Sequence, residues 1–275
     1  MKTLLIPVDS SEATENVIKY AADFSCDTHV DRIILLKSYY VSVYAQLLPS
    51  ADFVQLNAED IDEERQKVVD DLKSLGQELV KKCNPSIKIK TAISELPLIR
   101  AIHQIIANEQ PYVLMIGNDT SLDDSYIAEQ LIAIAKTSTV PVLIVPSTVK
   151  YKKIERTVVP CDLSAISRLN ALQGFRDPTR FLHPDLMILN VGPKPKGSDE
   201  HLAASLAGLL DGYKYEVYYS EDKDIVHGIV NFAARNHAQM ITALPGKYSF
   251  FSNLTHRSIT KALALNADRP VLILK

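Results

Sequence analysis

The chain writes one series of strands and helices twice, and this repeat limits its fold more than any other feature. LLIPVDSS (Leu4–Ser11) returns as TVVPCDLS (Thr157–Ser164), with Pro7 on Pro160, Asp9 on Asp162 and Ser11 on Ser164, a shift of 153 positions. IILLKSYY (Ile33–Tyr40) falls on LMILNVGP (Leu186–Pro193) at the same shift. Further on, Leu98–Gly117 falls on Ile225–Leu244 at a shift of 127, and VPVLIV (Val140–Val145) falls on RPVLIL (Arg269–Leu274) at 129. The copies therefore share one order of elements. The second lacks about 26 residues between its second and third strands. Self-similarity on this scale reads as duplication of a folding unit, and 275 residues suit two modest domains. We place them at 1–149 and 150–275, joined by the lysine-rich STVKYKKIER (Ser147–Arg156).

Within a copy, short apolar runs alternate with amphipathic stretches. LLIPV is bounded by Pro and Asp and reads as a buried strand. Ser10 and Ser11 are placed to cap a following helix, with Glu12 and Glu15 in its first turn and Val17, Ala21 and Phe24 on its apolar face. IILL is a second strand. Ala58 to Lys82 is a long helix whose apolar face carries Ile61, Val68, Leu72, Leu75 and Leu79. IKIKTAI, YVLMIG and PVLIV are further strands, with helices over Leu98–Asn108 and Ile127–Lys136. Strands separated by helices imply parallel pairing through right-handed crossovers. The expected fold class is α/β, with two doubly wound parallel sheets of five strands each. The last strand of each copy shows no polar alternation, so both of its faces should be buried. An apolar strand at a sheet edge invites pairing. Two such edges in one chain can cover each other, so we expect Val142–Val145 to pair antiparallel with Val271–Leu274 about a pseudo-twofold axis.

Several function classes are disfavoured by composition. A net charge of −3 is not that of a general nucleic-acid binder. The longest apolar runs are strand-sized, so no membrane span is expected. MKTLLIPVDSS lacks the apolar core of a secretory signal, which reads as a cytoplasmic protein. Three cysteines without CxxC spacing suggest neither a disulfide framework nor a thiolate zinc cluster. The histidines show no HExxH or paired-ligand spacing, so no metal site is expected. Cys161, beside Asp162, is read as a packed thiol, because a neighbouring carboxylate raises a thiol pKa. No GxSxG elbow is present, and no catalytic residue is assigned.

Ligands of open α/β sheets sit beyond the carboxyl ends of the strands. Pro7 and Asp9, and in the second copy Pro160 and Asp162, fall on that rim. Each aspartate either caps the first helix or contacts a ligand such as a ribose or adenine.

LLIPVDSSE at the start, IVHGIVNFAARNHAQMITAL within and PVLIV-type closing strands in both copies resemble the universal stress protein family in its tandem form. The resemblance covers nearly the whole chain, twice. It implies a Rossmann-like open sheet, akin to adenine nucleotide α hydrolases, and dimerisation through the fifth strand. Some members of the family bind ATP with a Gly-x-x-Gly, nine residues, Gly-Ser/Thr loop after strand four. There the glycines let backbone N–H groups approach phosphates at a helix N-terminus. In the first copy GNDTSLDDSYIAEQ keeps Gly117 and Asn118, but Thr120 replaces the second glycine, and Asp119, Asp123 and Asp124 add negative charge. In the second copy the early glycine positions fall at Leu244 and Lys247, Gly246 is out of place, and Arg257-Ser258 stands before Ile259 where Gly-Ser is expected. Lys247, His256, Arg257 and Ser258 either hold an anion or fill the space left by the glycines. The reading is a non-enzymatic stress-response protein with eroded loops and no cofactor. The alternative is an ATP–magnesium-binding regulator acting through the second copy, with or without slow hydrolysis. Its expected partners are its own other half, a second copy of the chain and proteins the sequence does not name. The Tyr-rich insertion Tyr39–Asn57 is read as a cover for the rim or as a partner surface.

Overall fold

The computed structural model describes residues 1–9, 11–40, 58–119, 125–175, 182–192, 199–244 and 259–275. Most of the Tyr-rich insertion and the stretch from Gly246 to Ser258 lie outside them.

The N-terminal half runs β1 (Thr3–Pro7), α1 (Glu12–Asp27), β2 (Arg32–Ser38), α2 (Ala58–Lys82), β3 (Lys88–Ser94), α3 (Leu98–Glu109), β4 (Val113–Asn118), α4 (Ser125–Thr137) and β5 (Val142–Pro146). The C-terminal half runs β6 (Arg156–Pro160), a 3-10 helix (Leu163–Phe175), β7 (Asp185–Val191), α5 (Asp199–Leu209), β8 (Tyr215–Ser220), α6 (Ile225–Arg235), β9 (Met240–Ala243), α7 (Ile259–Asn266) and β10 (Val271–Ile273). Among the described residues the strands form one sheet in the order β3-β2-β1-β4-β5-β10-β9-β6-β7-β8. Each half is thus a doubly wound parallel sheet whose order reverses beside its first strand. The register repeats with the sequence shift. Leu4 pairs with Ile33 and Val113, while Thr157, 153 positions on, pairs with Leu186 and Met240.

The two halves join where β5 meets β10. The strands are antiparallel, with Val142 opposite Ile273, Leu143 opposite Leu272 and Ile144 opposite Val271. Leu143 and Leu272 are equivalent under the shift of 129, so the pseudo-twofold axis passes between a residue and its own copy. All five residues of β5 are buried, as are all three of β10. Their alternate side chains feed two cores. Leu143, Val145, Leu272 and Leu274 enter the core under α1, α2 and the 3-10 helix; Val142, Ile144, Val271 and Ile273 enter the one under α3, α4, α6 and α7. Each face of the sheet therefore carries one apolar layer that crosses the seam unbroken. Burying a Val, Leu or Ile contributes about 1.5–3 kcal/mol, which favours keeping these edges together.

The outer edges are managed differently. In β3 the exposed positions include Lys88 and Lys90, the charged edge that discourages further pairing. β8 carries Tyr215, Val217 and Tyr219 packed against one core and Tyr218 against the other.

Each strand of the second copy was expected to lead into an α-helix, and its first crossover does not. Leu163–Phe175 is a 3-10 helix of 13 residues, far longer than such helices usually run. The apolar spacing accounts for it. Leu163, Ile166, Leu169 and Leu172 recur every third residue, which lines them up on one face only at three residues per turn. Leu163, Leu169 and Leu172 are buried and Ile166 packs against the same core. α1, by contrast, buries Val17, Ile18, Ala21, Phe24 and Ser25, the mixed threes and fours of an α-helix.

Candidate functional site

The rim beyond β1 begins with the capping of α1. Ser11, in extended conformation, is the N-cap and its hydroxyl accepts from the Thr14 N–H at 3.2 Å. Asp9 is tied into the same turn. Its Oδ1 accepts from the Ser11 N–H at 2.9 Å, the Ser11 hydroxyl at 2.5 Å and the Thr14 hydroxyl at 2.6 Å. Partial burial alone would raise the Asp9 pKa. The hydrogen bonds from Ser11 and Thr14, aided by the charge of Lys37, outweigh it and hold the carboxyl below the usual range. Of the two roles the sequence allows Asp9, this geometry is the capping one. Pro7 is buried at the end of β1 and pairs with Leu36.

Gly117, the penultimate residue of β4, lies directly under α1. A Cβ there would lie 2.5 Å from the Ala13 carbonyl oxygen and 2.7 Å from its carbon. The glycine thus lets the first turn of α1 settle on β4, and the space over it is taken by protein backbone. Asn118 is buried and reaches across the seam. Its Nδ2 donates to the carbonyls of Ala264, at 3.1 Å, and Leu265, at 3.4 Å, in the last turn of α7. The pseudo-equivalent of Ala264 is Ala135, in the last turn of α4, and its carbonyl accepts from the Lys275 ammonium. Each half thus caps the other's final helix at the same carbonyl with a different donor, where the helix dipole favours donors.

In the second copy, Pro160 closes β6 and Cys161 follows it, with its N–H bonded to Leu189 O at 2.9 Å. The Cys161 thiol is buried, and burial together with Asp162 pushes its pKa up to about 12, partly opposed by Arg168. This agrees with a packed thiol. Asp162 is half-buried beside it. The next N–H, of Leu163, donates to Asn190 Oδ1 at 3.4 Å, and Asn190 is a buried polar residue of β7. Leu244, the counterpart of Gly117, is buried where β9 ends. Ile259 opens α7. Gly246, Lys247, Arg257 and Ser258 lie outside the described residues.

The fold brings Pro7, Asp9, Gly117 and Asn118 to one rim of the N-terminal half, and Pro160, Asp162 and Leu244 to the matching rim of the other. Sequence reasoning missed Thr14, Lys37 and Asn190. Thr14 carried a signal, since it stands three residues after a capping serine; Lys37 and Asn190, equivalent residues in β2 and β7, show themselves only once the strands are placed. Among the described residues no group of His, Cys, Asp or Glu is arranged to hold a metal ion, and no helix is long and apolar enough to cross a membrane.

No family model matches the sequence, and no curated protein matches it. Solved structures do. A universal stress protein from Archaeoglobus fulgidus DSM 4304 is 18% identical, with 99% of this chain and 98% of that one covered and a TM-score of 0.69. A functionally unknown protein from Pseudomonas aeruginosa PAO1 is 12% identical, with 100% and 92% covered and a TM-score of 0.54. The chain thus has the α/β fold of universal stress proteins along its whole length.

Proposed function

We propose that the chain is a tandem universal stress protein, with domains at 1–149 and 150–275, that acts in the cytoplasm by binding rather than by catalysis. The observation that carries this reading is the use already made of the N-terminal rim. The Asp9 carboxylate is engaged by the turn that starts α1, and the face of Gly117 by Ala13. Asp9 Oδ1 is committed to the helix start, and the Cβ side of Gly117 is closed by the Ala13 carbonyl. The acidic run Asp119, Asp123 and Asp124 adds repulsion for one. In the second copy Leu244 stands where the loop would need a glycine.

Equilibrium dialysis against ATP and magnesium tests it. No binding at millimolar ATP is expected. Binding that Asp162→Ala and Ser258→Ala weaken would replace this reading with a nucleotide-binding regulator acting through the second domain.

A further inference from the structure

A cavity of about 600 Å³ opens at one end of the seam, beyond the carboxyl end of β5 and the start of β10. One wall is the linker between the halves, from Thr148 to Lys152. The other is built by the turns that enter β9 and β10, with His237, Gln239, Asp268 and Arg269.

The linker is held at four places. Asn16 Nδ2 donates to the carbonyls of Pro146 and Val149, both at 2.9 Å. The Tyr151 ring packs edge-on to Tyr20 and Phe24, and its hydroxyl donates to Asp27 at 2.7 Å. Ile154 is buried in the core. Gln239 Oε1 accepts the N–H groups of Glu155 and Arg156, at 3.0 and 2.9 Å. Tyr151 is thus turned onto α1, while Lys150 and Lys152 on either side of it line the groove. Opposite them, Arg269 bonds both oxygens of Asp268 at 2.7 Å and the Ala238 carbonyl at 2.8 Å. That pair is internally matched. Lys150 and Lys152 make no ion pair among the described residues, so the groove is cationic on a chain of net charge −3.

We propose that this groove binds an inorganic polyphosphate, held between the linker and the turns that enter β9 and β10. Its volume is that of a small-molecule site, about 300–1,000 Å³. Lysine ammonium groups serve phosphates as point charges, and here their backbone is fixed in advance, which reduces the ordering cost of binding. A cationic cleft with low-dielectric walls also concentrates anions locally. ATP retained in the dialysis experiment by wild type and by Asp162→Ala with Ser258→Ala, but not by Lys150→Gln with Lys152→Gln, would be bound in this groove and not at the strand-end rim of the second half.

Isothermal titration with inorganic tripolyphosphate, at low salt, tests it on the full chain. Wild type is expected to bind. Lys150→Gln with Lys152→Gln should weaken binding at least about tenfold, in keeping with the loss of two charge-assisted contacts. A control pair of exposed lysines, Lys19→Gln with Lys73→Gln, removes the same charge elsewhere and should change affinity less than about threefold, because screened surface charges act weakly. Circular dichroism melting checks that both variants are folded. The proposal is overturned if wild type binds no tripolyphosphate at millimolar concentration. It is equally overturned if the two pairs of substitutions weaken binding to within a factor of about three of each other.

Discussion

The first crossovers of the two halves start from the same motif and end differently. After β1 the chain makes a capped α-helix that rests on β4 and β5; after β6 it makes a 3-10 helix that packs on α5 instead. Two differences account for this. Gly117 admits the backbone of Ala13 to the surface of β4, whereas Leu244 at the equivalent place presents a side chain. The apolar residues of the second crossover also recur every three positions, not in threes and fours. A duplicated module can thus keep its sheet register and still rewind a helix, because the strands are fixed by pairing on both sides while a crossover answers only to the surface beneath it.

The largest expected effect falls where the halves must agree. Leu143→Asp and Leu272→Asp place a charge at the pseudo-twofold axis, in a sheet interior where both leucines are buried. Each should destabilise the protein by about 3–5 kcal/mol, as an uncompensated buried charge does. Because the two face each other, their effects in urea unfolding should be nearly equal. Clearly unequal losses would mean that the halves do not share the seam evenly.

Writing the second half's residue into the first sharpens the contrast between crossovers. Gly117→Leu drives a side chain into the Ala13 backbone, and overpacking of this kind costs about 1–3 kcal/mol. The melting temperature should fall by several degrees. An unchanged melting temperature would show that α1 can lift off β4 freely, and Gly117 would then have no packing role.

Legibility in the sequence follows from what each feature depends on. The strands and the seam were readable because apolar runs without polar alternation have one solution, burial on both faces, and because the chain held two of each edge. The long helix Ala58–Lys82 was readable from its spacing, and the structure has it over the same residues. The second copy's first crossover was misread because homology of the strands was extended to the helix, although LSAISRLNAL already carries its period of three. At the rim the residues were found but not their partners. The motif marks Gly117 for phosphate approach, while its actual neighbour, Ala13, is 104 positions away in the chain and meets it only through the fold. Asn118 was grouped with the anion residues, yet its partners are carbonyls of the other half. Sequence pattern selects residues that need a special environment; it does not say whether that environment is a ligand or the protein's own backbone.

The smallest expected effect separates these two uses at Asp9. Its folded-state pKa is depressed below 3.8, because hydrogen bonds from Ser11 and Thr14 and the charge of Lys37 outweigh the opposing effect of burial. A depressed carboxylate contributes stability that is present above its unfolded pKa and lost as the pH falls through the folded one. The wild-type melting temperature should therefore decline on acidification below about pH 4, in part through this group. Asp9→Asn cannot ionise. It should be less stable than wild type at pH 7, by about 0.5–1.5 kcal/mol, as charge-assisted hydrogen bonds from Ser11 and Thr14 become neutral ones, and the gap should close towards pH 3. A ligand-contacting aspartate held apart from the cap would behave otherwise, since its neutralisation relieves desolvation and stabilises the free protein. A variant that melts higher than wild type at pH 7 would return Asp9 to the ligand role and reopen the N-terminal rim as a binding site.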